Sequence, residues 1–237
     1  MAQAFSLPRV GNDWAMNLKQ VGSEILGTAV LVMTVVGSGE MAQSLSSDTG
    51  IQLLINSLST AAILYLLITI LADIGGAHFN PLVTLILAYK KEMSIAGTAS
   101  YIAAQFVGGL IGAGLANLLF ELPVFTASTH VRSGGHLFLS EVIATTGLIF
   151  IIFAALDQKR DKKIPALVAC WIGAAYFFTS STSFANPAVT FARGWSDTFA
   201  GIAPKSIAPF IAAQLIGAVL GLILSQSLSV NGKGKNE

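Results

Sequence analysis

The sequence predicts an all-α membrane protein, with six transmembrane helices and two re-entrant half-helices arranged as an inverted repeat. Composition, the lengths of the apolar runs and a twice-used Asn-Pro signature point to it. Hydrophobic residues make up 54% of the 237, charged residues only 11%, and mean hydropathy is +0.72. A water-soluble domain carries about 25% charged residues. The net charge of +1 and the lack of a basic stripe exclude a nucleic-acid partner. A lone Cys170 excludes an intrachain disulfide, offers no metal cluster, and reads as a small core residue. No cofactor or metal is expected. The first seventeen residues lack the pattern of a signal peptide.

Crossing the hydrocarbon takes about 20 mostly apolar residues. Six stretches qualify: 18–38, 51–72, 95–119, 137–156, 164–180 and 206–228. Two shorter apolar pieces, 81–89 and 187–193, each follow an Asn-Pro pair. At ~1.5 Å per residue they reach roughly 11–13 Å, less than half the core thickness. They are expected to be half-helices.

Lys and Arg placement sets orientation. With both termini in the cytoplasm, only Arg132, Arg193 and Lys205 of the 13 lie outside. Arg9, Lys233 and Lys235 near the termini join the cytoplasmic set, as does the short loop DQKRDKK at 157–163.

The halves repeat, approximately 18–119 and 137–228, joined by an outer loop 120–136 within one channel domain, 1–237. GSEILGT answers LSEVIAT, aligning Glu24 with Glu141; FNPLVT answers ANPAVT, aligning Asn80 with Asn186. YIAAQFVGG answers FIAAQLIGA, aligning Gln105 with Gln214. Three spans per half is an odd number, so the second copy enters the membrane upside down. Such inverted repeats with interrupted helices place a site near the midplane.

Irregular backbone at membrane depth survives only when buried in protein or lining a watery cavity. Proline at a helix's first position loses no hydrogen bond, and asparagine before it is a favoured cap. Asn80-Pro81-Leu82 and Asn186-Pro187-Ala188 therefore read as two helix starts. If each Asn oxygen caps its own helix, each NH₂ is left to face a shared central spot. An oxygen held there by two donors relays no proton, and cations meet a barrier. Glu24 and Glu141 are expected to accept hydrogen bonds from the unwound loops, and Gln105 and Gln214 to stitch helices. The ring of His78 is expected to anchor its loop. Asp73 reads as a solvated residue near the inner mouth; His130 and His136 lack metal-like spacing.

With GGAHFNPLVT, FANPAVT and SEILGT in view, the chain resembles the aquaporin, or major intrinsic protein, family over roughly 18–228. The resemblance implies the aquaporin fold, a pore in each protomer and a homotetramer in a lipid bilayer, and no enzyme activity. Asn-Pro-Leu at 80–82 departs from the family's Asn-Pro-Ala and should only adjust half-helix packing. The family's spacing assigns the filter to Thr60, Ala174, Ser183 and Val189. Val189 stands where the family has an arginine. Such a ring is small and wide, which implies small neutral solutes beside water: glycerol, urea, or arsenous-acid-like metalloids. The run NPAVTFARGWSDTFAGI also resembles bacterial members associated with arsenic-handling genes, implying a bacterial inner membrane. A mainly water-selective channel remains open if Tyr176 or Phe177 replaces Ala174 at the pore, and a secondary active transporter is the rival class.

Arg193 lies four residues after Val189, on the same helix face and about one turn, ~5.4 Å, outward. It is expected either to reach back as a mobile cation at the outer mouth or to pair with Asp197, four residues on.

Overall fold

The structure is a computed structural model that describes residues 17–229. Arg9, Lys233 and Lys235, used above for orientation, lie outside the described residues. The described chain is helical throughout: α1 (Leu18–Leu45), α2 (Thr49–Gly75), α3 (Pro81–Tyr89), α4 (Ile95–Leu119), α5 (Gly135–Asp157), α6 (Ile164–Phe178), α7 (Pro187–Arg193) and α8 (Pro204–Ser227). A single 3₁₀ turn, Asp161–Lys163, precedes α6.

Short polar caps start several of these helices. The Asp48 carboxylate accepts from the N–H groups of Gly50 (2.8 Å) and Ile51 (3.0 Å), and the Ser94 hydroxyl from Gly97 N–H (3.1 Å). Five helices, α1, α2, α4, α5 and α8, are long and apolar enough to cross a membrane. The sixth expected span, 164–180, is shorter: α6 has 15 residues, roughly 22 Å at ~1.5 Å per residue. It stops because the chain turns extended at Thr179 and runs as loop into α7.

Two close helix pairs frame the molecule, α1 with α4 and α5 with α8. Glycines set both crossings. A Cβ on Gly108 or Gly112 of α4 would lie 2.4 Å from the Ile25 carbonyl oxygen or 2.2 Å from that of Ala29. On α8, Gly217 and Gly221 stand 2.6 Å and 2.5 Å from the Val142 and Thr146 oxygens by the same measure. Small residues four apart let backbones touch where lipid supplies no hydrophobic drive.

α6 joins the halves, packing against α2 and α5. Its buried face carries Val168, Ile172 and Tyr176, four residues apart, while Leu167, Cys170, Ala174, Phe177 and Phe178 are exposed. Cys170 is therefore not a core residue as the sequence suggested. The helix phase turns it outward among the apolar side chains that suit lipid.

Candidate functional site

Two unwound loops meet at the centre of the molecule. Residues 76–80 link α2 to α3, and 179–186 link α6 to α7. Ala77 and Phe79 in the first, and Thr182, Ser183 and Ala185 in the second, all have positive φ (47–63°), a region costly for residues bearing a Cβ. Buried carboxylates hold both loops. Glu24 accepts from the N–H groups of His78 and Phe79, both at 2.8 Å; Glu141 accepts from Phe184 and Ala185, both at 2.9 Å. Gln105 then donates to Glu24 (2.7 Å) and Thr84 (2.9 Å), and Gln214 to Glu141 (2.7 Å) and Thr190 (2.8 Å). Each carboxylate is thus surrounded by donors, which is what its burial requires.

The asparagines cap their helices. The Asn80 side-chain oxygen accepts from Leu82 N–H (3.0 Å), and that of Asn186 from Ala188 (3.0 Å) and Val189 (3.3 Å). Their amides are not wholly free, as the sequence argument assumed. Asn80 Nδ2 donates to the Ala185 carbonyl (2.8 Å) and Asn186 Nδ2 to that of Phe79 (2.7 Å). One N–H of each NH₂ therefore crosslinks the loops, and one remains, since the amide carries two.

Both asparagines line a cavity of about 360 Å³. From the end carrying the 120–134 loop it is lined by Arg193, Thr60, Tyr176, Ser183, Phe184 and Val189. Beyond the asparagines its walls are mainly aliphatic, with Val83, Leu87, Leu148, Ile152 and Phe153. Asp73, Asp161 and Lys162 complete the other end.

Of the four filter positions, Thr60, Ser183 and Val189 border this cavity and Ala174 does not. Ala174 points outward, and Tyr176, two residues on, faces in, its hydroxyl 3.0 Å from Thr60 Oγ1. An aromatic side chain thus borders the cavity where the sequence reading placed Ala174. The signal was present in the four-residue spacing of Val168, Ile172 and Tyr176, which marks the inward stripe. Leu82 is buried with Val83, Ile86 and Phe153. The His78 ring hydrogen-bonds Thr84 (3.0 Å) and packs on Tyr101 with centroids 5.1 Å apart; its residue also borders the cavity.

Arg193 is 2% exposed and borders the cavity. The pairing with Asp197 is not formed: that carboxylate accepts from Thr129 N–H (2.7 Å) and Oγ1 (2.9 Å). Arg193 Nε instead donates to the Ala200 carbonyl, and its guanidinium lies over the Phe184 ring, 3.4 Å from the centroid. A second cation, Arg132, sits 5.1 Å from the same centroid and donates through Nε to the Gly201 carbonyl (2.8 Å). Nothing in the sequence marked Phe184 or Arg132, because the contact joins segments far apart in the chain.

Opposed half-helices starting at crosslinked asparagines, bordering one elongated cavity, are accompanied by a direct match. Residues 12–184 match the family described as MIP, Major intrinsic protein. The chain belongs to the major intrinsic protein family. Members of that family are channels, and this protein is a membrane channel and not an enzyme. It is 45% identical over 206 residues to Aquaglyceroporin AqpS of Rhizobium meliloti (strain 1021), covering 87% of this chain and 88% of that protein. It is 32% identical to Aquaporin-4 of Mus musculus over 65% of this chain, and the match spans 49% of that relative's length. Among solved structures, the aquaglyceroporin from Plasmodium falciparum superposes with a TM-score of 0.63 at 21% identity, over 90% of this chain and 96% of that one. That likeness is one of fold, and it agrees with the all-helical architecture read from the sequence.

Proposed function

We propose that the protein conducts water and small polyols such as glycerol passively, down their gradients, through the cavity between the half-helices. The observation that carries this reading is the central crosslink: each asparagine spends one N–H on the opposing loop and keeps one for a passing oxygen. A hydroxyl or water oxygen accepts from both amides in turn. A cation meets the two amide donors and the positive ends of both half-helices there. The lining is mixed, with the Tyr176 ring and Val189 supplying apolar surface and Arg193 and Thr60 polar groups. That mixture suits a molecule with a carbon spine and a row of hydroxyls. The 45% identity to a protein named as an aquaglyceroporin supports the same class.

Urea and arsenous-acid-like solutes fit the reading by size and neutrality. Val189, by leaving the place of a fixed arginine uncharged, supports their passage. One observation favours the second reading, a mainly water-conducting pore: Tyr176 takes room that Ala174 would have left. Homotetramer assembly, cytoplasmic termini and a bacterial inner membrane belong to the proposal too. The concentration of Lys and Arg in the DQKRDKK turn and toward both ends of the sequence supports the orientation.

Stopped-flow light scattering on proteoliposomes decides between the two. Glycerol, urea and arsenite fluxes above those of empty vesicles support the wide reading, and Tyr176→Ala should raise them relative to water. Water flux without any solute flux, unchanged by Tyr176→Ala, selects the water channel.

A further inference from the structure

Among the described residues, the Arg193 guanidinium has no counter-ion. Arg193 is buried at 2% exposure, and its Nε is taken by the Ala200 carbonyl. Phe184 covers one guanidinium face. No described residue hydrogen-bonds the Nη nitrogens, whose paired N–H groups form the end of the guanidinium fork and border the cavity. Arg132, the second guanidinium on Phe184, is likewise held by carbonyls of Gly201 and Phe199. The nearby acids are already engaged: Glu141 by loop N–H groups and Gln214, Asp197 by Thr129. The carboxylates that do border the cavity, Asp73 and Asp161, lie at its other end. Asp73 is roughly 20 Å beyond Thr60 along α2 at ~1.5 Å per residue.

A desolvated guanidinium with its fork open toward water is a receptor for planar oxyanions, which it grips by two parallel hydrogen bonds. Ser183 adds a second unpaired group: its Oγ is enclosed without a partner, on a residue that borders the same part of the cavity. The Thr60 hydroxyl donates to the Asn56 carbonyl (2.8 Å), so Tyr176 donates to Thr60 (3.0 Å) and keeps its lone pairs for a neutral solute's hydroxyl. We propose that the Arg193 fork binds small planar monocarboxylates of formate or acetate size, which then occlude the filter. Past the fork the two asparagine amides are the last donors, and the aliphatic walls and acids beyond them give an anion no onward path, so it is held on the Arg193 side of the cavity. The same residue that hydrogen-bonds neutral solutes in transit thus makes the channel sensitive to organic acids.

The proposal takes its flux readout from the channel reading, and the test keeps the two apart. Glycerol flux into proteoliposomes is measured at pH 8, where formate is ionised, with formate replacing gluconate at constant osmolarity and ionic strength. Gluconate is too bulky for the filter. Wild-type flux should fall by half at roughly 1–10 mM formate, the affinity range of a single charge-assisted fork. The fractional loss should vanish in Arg193→Gln. It should shrink in Arg193→Lys, which keeps the charge and loses the fork. Formate should also raise the unfolding temperature of the detergent-solubilised wild type and not that of Arg193→Gln, a readout independent of transport. Should Arg193→Gln not fold, Arg193→Lys serves for both measurements. Equal loss in wild type and Arg193 variants, equal loss with chloride, or no loss up to about 50 mM formate overturns the proposal. Formate-free flux in the wild type judges the channel reading separately.

Discussion

The two re-entrant loops are built from the same hydrogen bonds and lined by different side chains. In both, a glutamate on a long helix holds two consecutive loop N–H groups, a glutamine braces the glutamate, and an asparagine caps the half-helix while crossing to the other loop. Even the aromatic brace recurs. His78 packs on Tyr101 with centroids 5.1 Å apart, and Phe184, its counterpart, on Phe210 at 5.2 Å. The halves part company in size and charge. Phe79 fills a hole at Gly27 in the first half, where the second half has Ala185 and Ala144. The second half carries Arg193 where the first carries Leu87. Shared bonds make the crossing point, and in the proposed function the unshared side chains decide what passes.

That division can be broken at the framework. Glu24→Ala and Glu141→Ala should be the most damaging changes and should do equal harm. Each leaves two buried N–H donors unsatisfied at about 1–3 kcal/mol apiece. Size-exclusion profiles after membrane extraction should show loss of the folded protein for both. A variant that folds normally in one half and not the other would end the equivalence.

Packing offers the next contrast. Gly27→Ala places a Cβ 2.0 Å from the Phe79 ring, and overpacking of that kind costs about 1–3 kcal/mol. Adding Phe79→Ala, which copies the Ala144 and Ala185 pair of the other half, should restore the unfolding temperature. Failure of the double variant to recover would show that the halves are not interchangeable here.

Asn80→Ala and Asn186→Ala should each remove a helix cap, at about 1 kcal/mol, and one bond between the loops. Water flux should drop comparably in both, read by stopped-flow scattering. In the unshared lining, Arg193→Ala should change solute flux per folded protein, and Val189→Arg should slow glycerol more than water. Unchanged flux at equal protein content would remove Arg193 from the filter.

The smallest expected effect concerns the loop that roofs the second half. The Thr129 N–H and hydroxyl, with Ser128, hold the exposed Asp197 carboxylate below its ordinary range. A depressed carboxylate stabilises the fold above its unfolded pKa, and that contribution disappears as pH falls through the folded value. Acidification should therefore speed amide exchange at 126–130, and Asp197→Asn should show the faster exchange already at neutral pH.

The framework was legible in the sequence because duplication wrote it twice. Glu24 with Glu141, Asn80 with Asn186 and Gln105 with Gln214 could each be checked against the other half. The half-helices were legible because Asn-Pro fixes their starts and their apolar runs are too short to span. The filter was less so. Tyr176 and Ala174 lie two residues apart on a uniformly apolar helix, and spacing carried from relatives does not fix its phase. The environment of Arg193 was not legible at all, because Phe184, Arg132 and the Ala200 carbonyl converge from three separate aperiodic loops.

Glycerol and water permeability of wild-type proteoliposomes, measured with and without imposed proton and sodium gradients, tests the central claim most directly. Opposed half-helices with uncharged asparagines at their tips predict flux that rises linearly with the solute gradient and ignores both ion gradients. Saturable flux driven by either ion, or permeability no greater than that of empty vesicles, would contradict it.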